Sequence, residues 1–380
     1  MSVSQNLEIF NKIKPKLEFA IAIATFYVTS KSFWQYILIK TPFVSTALCL
    51  ISTTLNIANT FEGRFTGNLA MSLLFCSGSL QVLSFTFFMR YHRNNILELL
   101  DKVKSLHSNF ENKELHSIAE NTLTKFSNIW ETCYKLRKTL VTLSVICFTI
   151  INTIKRQSGV ITQLPLFPIN YPYYTQIMLL VQFIFISLLA VSIFYTGICI
   201  AFFGFEIMAA SDILYDYISA NKDRIQKDPD FLKIITIRHC EIVDTVKRFN
   251  KIISLTNLVQ FVTSALLSFA IFFFVRLNPK NPVGYILALG ILFQLFLPCL
   301  FGEYIKIKME RLSTTLYLTN WPDLKLKDQK SFVIVLGMIQ REYGLRAAEM
   351  YDVNIYTFIE IVKIATSWCA FIFTLVEANI

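Results

Sequence analysis

Charged residues are scarce in this chain of 380 residues. Asp, Glu, Lys and Arg make up 16% of it and hydrophobic residues make up 54%, whereas about 25% of an ordinary soluble domain is charged. The hydrophobic residues form long blocks, and a helix of about 20 apolar residues crosses a bilayer with its backbone hydrogen bonds satisfied internally. This composition argues against a soluble protein and predicts an all-α polytopic membrane protein.

Seven apolar blocks are long enough to span a membrane. Glycine and proline are absent between Ser79 and Ser158, so the third block, although short, is expected to be the membrane end of a longer helix. Residues 19–39 either begin the first span or lie in the membrane interface. The blocks occupy residues 42–60, 66–89, 139–154, 175–203, 252–275, 283–305 and 353–376.

Basic residues are nearly absent from one side of these blocks. The connections on the side of the N-terminus hold 30 Lys and Arg, and the opposite side holds 5. Each connection is shorter than about 60 residues, the range in which the positive-inside rule applies. We therefore expect a cytoplasmic N-terminus and an extracellular C-terminus.

The segment Asn281-Pro282-Val283-Gly284-Tyr285 fits the Asn-Pro-x-x-Tyr pattern of G-protein-coupled receptors. Those receptors have an extracellular N-terminus, which would put the 30 basic residues outside the cell. The segment also stands before the sixth span, where proline in the first turn is a common helix start. We interpret it as a helix start and exclude that receptor class.

Residue patterns for catalysis or metal binding are missing as well. The four histidines lie in the polar connections without metal-ligand spacing, and there is no P-loop, nucleophile elbow or paired-carboxylate site. No catalytic residue, metal or cofactor is predicted, and the chain is not expected to be an enzyme or to bind nucleic acid. A membrane transporter remains an alternative, although the internal repeats of that class are not found.

Glycine and proline are also missing from Phe231 to Asn278. A helix of this length measures about 70 Å at 1.5 Å per residue, so about half of it should project into the cytosol. It carries a stripe that needs partners there, and residues 90–138 and 323–340 offer other amphipathic stretches. We predict a cytoplasmic anchor bundle, and the stripe consists of Leu232, Ile235, His239, Ile242, Val246 and Phe249.

The last third of the chain carries a distinctive set of motifs. They are Gly302, Tyr317 and Trp321 followed by Asp323-Leu324, Gln329-Lys330-Ser331, Leu345 with Ala347, Thr357-Phe358, Lys363 and Ser367-Trp368. This set resembles the insect odorant receptor family, although Trp368 stands where the family often has Tyr. Chain length, seven spans and an inside N-terminus agree with the resemblance.

The resemblance implies a tuned subunit of an odorant-gated, non-selective cation channel. Such a subunit assembles with a shared coreceptor as a heterotetramer in the plasma membrane of olfactory sensory neurons. A gustatory receptor channel is the neighbouring alternative.

The resemblance also implies a ligand pocket in the outer half of the bundle, among the second, third, fourth and sixth spans with help from the fifth. Aromatic walls suit a small volatile that binds mainly by burial of apolar surface, and the outer loop 163–174, rich in Pro and Tyr, is either a rigid hairpin or a lid. Candidate contacts by depth are Met71, Phe75, Phe148, Ile151, Asn152, Tyr174, Met178, Phe272 and Tyr285.

The seventh span is expected to line the pore, which requires several copies around an axis. One face at helical spacing is polar at the inner end and apolar at the outer end; it holds Thr357, Glu360, Ile364, Ser367, Phe371 and Thr374 or Leu375. The resemblance assigns the gate to Phe371 and Leu375, with Thr374 beside them. Glu360 and Lys363 should face water or each other.

These expectations divide the chain into four regions. Residues 1–41 form a cytoplasmic N-terminal segment with an interfacial helix, and residues 42–305 carry six spans and the pocket. Residues 306–352 form an anchor segment, in which Tyr317 and Trp321 serve packing or assembly. Residues 353–380 form the pore-lining helix.

Overall fold

The fold is almost entirely helical. A computed structural model describes residues 5–27, 33–61, 66–108, 113–155, 162, 171–227, 229–341 and 343–378. The helices are α1 (Gln5–Ala24), α2 (Phe33–Thr60), α3 (Gly67–Tyr91), α4 (Arg93–Ser108), α5 (Lys113–Lys155), α6 (Tyr174–Ala220), α7 (Arg224–Lys227), α8 (Pro229–Leu277), α9 (Pro282–Tyr317), α10 (Leu326–Ile339) and α11 (Ile355–Ala378). A 3-10 turn at Trp321–Asp323 precedes α10, and the short strands β1 (Arg346–Ala347) and β2 (Tyr351–Asp352) precede α11.

Six helices in the described part of the chain are long and apolar enough to cross a membrane, namely α2, α3, α6, α8, α9 and α11. The predicted third span coincides with the C-terminal end of α5, which is helical through Lys155. The chain is therefore the all-α, polytopic protein that its composition predicts. We call the end where α8 finishes and α9 starts the outer end, after the predicted orientation.

Residues 19–39 are divided between two helices. The end of α1 packs inside the protein with Leu17 and Ala20 fully buried, in contact with α4, α5 and α6. A new helix, α2, then starts at Phe33. The first spanning helix thus begins earlier than its apolar block.

The prediction of one uninterrupted helix after Phe231 is confirmed, since α8 runs for 49 residues. Its stripe is buried at Ile235, His239, Ile242, Val246 and Phe249, with Leu232 half-buried. The ends of α5, α6, α8 and α9 away from the outer end pack with α1, α4 and α10 around a continuous core. Long helices that extend past their apolar spans thus form the predicted helical bundle.

A second hydrophobic cluster fills the outer end, and we call it the outer core. It joins α3, α5, α6, α8, α9 and α11, and its buried members include Met71, Phe75, Phe148, Phe273 and Phe274. Six of its sixteen buried members come from α3 and α5, and the other ten come from α6, α8, α9 and α11. The outer core is therefore made by helices distant in sequence.

The start of α9 confirms the helix-start interpretation of the Asn281 motif. The Val283 amide donates a hydrogen bond to the Asn281 side-chain oxygen at 3.0 Å, which caps the helix. A Cβ at Gly284 would lie 2.7 Å from a methyl carbon of Val275, so glycine allows the close turn between α8 and α9.

The approach to α11 depends on a small hairpin. The strands β1 and β2 pair antiparallel, and the Arg346 amide donates to the Asn250 side-chain oxygen of α8 at 2.7 Å. The Ala348 amide donates to the Ser254 carbonyl at 3.2 Å. These bonds attach the segment before α11 to the middle of α8.

Candidate functional site

Four of the candidate ligand residues meet in the outer core. Met71 and Phe75 of α3 and Phe148 of α5 are buried members of this cluster, and the half-buried Phe272 of α8 packs against the cluster. The rings of Phe75 and Phe148 meet edge to face with centroids 5.6 Å apart, an arrangement that aromatic quadrupoles favour. The structure thus brings together side chains from three separate spans.

The remaining candidates occupy different surroundings. Met178 of α6 is fully buried, and Tyr174, at the start of α6, is half-buried. Tyr285 is 52% exposed and its hydroxyl donates to the Pro279 carbonyl at 3.1 Å. The side chains of Ile151 and Asn152, and residues 163–170 of the outer loop, lie outside the described residues.

A polar network that no sequence pattern predicts lies farther from the outer end. Pro298 has no amide hydrogen, so the Gln294 carbonyl one turn earlier in α9 lacks its helical donor. The Gln260 amide nitrogen of α8 donates to that carbonyl at 2.7 Å, and the Gln294 amide nitrogen donates to Gln81 of α3 at 3.3 Å. The glutamine side chains therefore tie three apolar helices together where water is scarce.

A cavity of about 40 Å³ adjoins this network, and Arg137 of α5 projects toward it. One guanidinium nitrogen of Arg137 donates to the Ile193 carbonyl of α6 at 3.3 Å. A Cβ at Gly197 would lie 2.1 Å from the same nitrogen. Glycine at position 197 leaves room for the guanidinium in this place, and the cavity has space for roughly one water, at about 30 Å³ each.

The last helix, α11, packs one face on the protein and leaves the other uncovered. Ile361, Ala365 and Cys369 are buried against α8 and α9. The uncovered face holds most of the residues of the predicted pore stripe, namely Glu360, Ile364, Ser367, Phe371 and Thr374. The Leu375 side chain lies outside the described residues.

The first turn of α11 is fixed by polar bonds. The Thr357 amide donates to the Asn354 side-chain oxygen at 2.8 Å, and the half-buried Thr357 hydroxyl donates to the Asp352 carbonyl at 2.7 Å. Glu360 and Lys363 are both exposed in the single chain. Asn354 therefore caps α11, and Thr357 is held in the first turn by these bonds rather than standing free on the stripe.

The two predicted anchor residues differ in surroundings. The Trp321 ring stacks on Phe332 of α10 with centroids 5.3 Å apart and planes 8° apart. Tyr317 is 55% exposed, and its ring centroid lies 6.5 Å from that of Trp321. Trp321 packs the turn onto α10, whereas Tyr317 offers its ring to the outside.

Comparisons with known proteins agree with this architecture. The sequence matches the family described as 7tm odorant receptor over residues 66–366, and no curated protein matches it. The fold is similar to that of the insect olfactory receptor OR5 from Machilis hrabei in complex with eugenol, with a TM-score of 0.79 and 11% identity over 98% of this chain and 100% of that one. A second OR5 structure gives a TM-score of 0.74 and 11% identity, covering 97% and 99%. At this identity the structural similarity indicates a shared fold.

Proposed function

This chain belongs to the 7tm odorant receptor family, and we propose that it is the odorant-binding subunit of a ligand-gated, non-selective cation channel. Its N-terminus is cytoplasmic, its C-terminus is extracellular, and it resides in the plasma membrane of olfactory sensory neurons. It assembles with the odorant receptor coreceptor as a heterotetramer. The family is a class of receptors and channels, so the chain is not an enzyme.

The uncovered face of α11 is the observation that carries the channel proposal. A single helix does not enclose a pore, so this face requires copies from other subunits around an axis. Glu360 and Ser367 make its inner part polar, and Phe371, 62% exposed in the single chain, makes its outer part apolar. A ring of such apolar side chains closes a pore by excluding water, and spreading the helices wets it.

The outer core supports the ligand proposal. Phe75, Phe148 and Phe272 offer aromatic surface from three spans, and burial of apolar ligand area is favourable by about 25 cal/mol per Å². Met71, Ile151, Asn152, Tyr174, Met178 and Tyr285 complete the proposed contact set. Eugenol, which occupies one of the OR5 structures, belongs in the first panel of candidate ligands.

Ligand binding opens the pore only through a difference in affinity between the open and closed arrangements. A 100-fold preference for the open arrangement corresponds to about 2.7 kcal/mol. A few aromatic contacts that tighten on opening are sufficient for a difference of this size.

Whole-cell recording tests the proposal. Cells expressing this chain with and without an insect coreceptor are exposed to an odorant panel while G-protein signalling is blocked. We expect an odorant-evoked cation current that persists under the block and requires the coreceptor. Absence of current from surface-exposed protein across the panel, together with ligand uptake by cells expressing the chain alone, would favour the transporter alternative.

A further inference from the structure

A cleft with three basic side chains lies beside the start of α11, at the end of the bundle away from the outer core. It has a volume of about 180 Å³. Its walls come from α8, α9 and the hairpin before α11, which contribute Lys247, Lys306 and Arg346 respectively. We call it the basic cleft.

Among the described lining residues of the basic cleft, positive charge exceeds negative charge. Among its described lining residues the one carboxylate is Asp352, which accepts a hydrogen bond from the Arg346 side chain at 3.2 Å. Lys306 also lies 3.9 Å from Glu310 on the next turn of α9, outside the lining. The Lys247 ammonium is 5.9 Å from the centroid of the Tyr343 ring. The cleft therefore favours an anion.

The volume restricts the anion to a small group. Pockets for drug-sized ligands measure about 300–1,000 Å³, whereas 180 Å³ corresponds to roughly six waters at about 30 Å³ each. A phosphate group suits this space, since Arg binds phosphate through paired hydrogen bonds and Lys binds it as a point charge. The N-terminus of α11, which Asn354 caps at the cleft wall, adds a favourable dipole.

The cleft also lies at the depth of lipid headgroups in the proposed orientation. Lys306 directly follows the predicted sixth span, and Lys247 precedes the predicted fifth span by about one turn. Inner-leaflet lipids carry the negative charge that attracts basic residues at this position. Asp352, Val353 and Asn354 line the cleft and lead directly into α11.

We propose that the basic cleft binds a phosphate group, carried by an anionic phospholipid headgroup or by a soluble phosphate ester. The bound phosphate joins α8, α9 and the hairpin, and so fixes the position from which α11 starts. The cytoplasmic location and the effect on gating rest on the proposed function, whereas the binding itself rests on the charges and the volume of the cleft.

A binding titration on the full-length chain in phosphatidylcholine nanodiscs tests this proposal. One arm uses short-chain phosphatidylinositol bisphosphate, and the other uses inositol trisphosphate, each with inorganic phosphate as competitor. We expect saturable binding that weakens about three- to tenfold in Lys247→Gln and in Lys306→Gln, since each removes one charged partner of the phosphate. Lys306→Arg should restore binding, and Lys327→Gln, an exposed lysine on α10, is the matched control.

The two arms assign the source of the phosphate. Binding of the lipid alone identifies a headgroup site, and equal binding of both probes identifies a site for free phosphate esters. The proposal is overturned if the dissociation constant is unchanged in both Lys→Gln variants. It is also overturned if neither probe binds to monodisperse protein. Neither result depends on channel current, so the proposal of an odorant-gated channel is tested independently of the phosphate site.

Discussion

The carbonyl oxygen of Val353 occupies the space that a side chain at Gly302 would need. A Cβ built at Gly302 would lie 1.8 Å from that oxygen, far inside any van der Waals contact. Val353 is itself held by its amide, which donates to the Leu345 carbonyl at 2.9 Å. The segment entering α11 thus lies directly on the backbone of α9.

The variant Gly302→Ala should displace the start of α11 from α9. We expect a loss of about 1–3 kcal/mol or more in folding stability, as in other overpacked cores, with reduced surface expression and current. Gly290→Ala is the matched control, because Gly290 lies in the same helix and no atom of the described part of the chain is within 4 Å of a Cβ built there. Comparable thermal unfolding of the two variants in detergent would contradict the close approach.

The bond from Gln260 to the Gln294 carbonyl should matter only while Pro298 is present. Gln260→Leu removes the donor and should destabilise the protein by about 1 kcal/mol. Pro298→Ala returns a helical amide to that carbonyl, so the loss from Gln260→Leu should shrink in the Pro298→Ala background. A double-mutant cycle of unfolding free energies measures the coupling between Gln260 and Pro298. Strictly additive values would show that the two residues are not coupled and would contradict this prediction.

Aromatic side chains of the outer core should set odorant potency. Phe75→Ala or Phe148→Ala should raise the half-maximal concentration of the best agonist about tenfold, because each removes buried contact area worth about 1.4 kcal/mol or more. Phe87→Ala, a 66% exposed phenylalanine of the same helix as Phe75, should leave potency unchanged. Dose–response curves at equal surface expression measure the half-maximal concentration for each variant. Equal values for the Phe75→Ala, Phe148→Ala and Phe87→Ala variants would contradict the prediction.

A polar residue at the proposed gate should wet the closed pore. Phe371→Ser should produce an odorant-independent leak current in cells that also express the coreceptor. Ala370→Ser is the control, since one residue rotates a side chain by about 100° around the helix and so places Ala370 away from Phe371. Equal leak currents in both variants would contradict the assignment of Phe371 to the gate.

Acid should destabilise the bundle around His239. Burial lowers the pKa of His239 from 6.5 to about 4, and none of the described residues forms a hydrogen bond with its buried Nε2 atom. As pH falls, His239 is therefore protonated in the unfolded chain before it is protonated in the folded protein. The folding stability that depends on neutral His239 is fully present above about pH 6.5 and is lost as pH falls toward 4.

The variant His239→Leu should lose stability less steeply than the unchanged protein over that pH interval. Unfolding temperatures measured from pH 7.5 to 4.5 test the difference between the two slopes. His116→Leu, at a half-buried histidine of α5, controls for removal of any histidine. Identical slopes for the unchanged protein and His239→Leu would contradict the assignment.

The features predicted correctly from the sequence are those set by local spacing. An uninterrupted run of helix-forming residues determines α8, and Asn281 followed by Pro282 determines the start of α9. The pairing of Gln260 with the Gln294 carbonyl depends on how two distant segments cross, and a glutamine in an apolar block does not identify its partner. Arg137 reads in the sequence as one more basic residue of a polar connection, because the space that Gly197 of another helix leaves for it exists only in the fold.

Because α8 is continuous, it is expected to tilt as one rigid body. A helix without an internal hinge transmits a displacement as tilt rather than as a local bend. The hairpin before α11 is hydrogen-bonded to Asn250 and Ser254, which lie close to the midpoint of α8. This midpoint is the expected pivot for a tilt of α8. Phe273 lies about 30 Å farther along at 1.5 Å per residue, so a tilt of about 4° moves it by about 2 Å. Its ring meets Phe373 of α11 with centroids 6.4 Å apart, so we expect such a tilt of α8 to displace the outer part of α11 while its start stays in place.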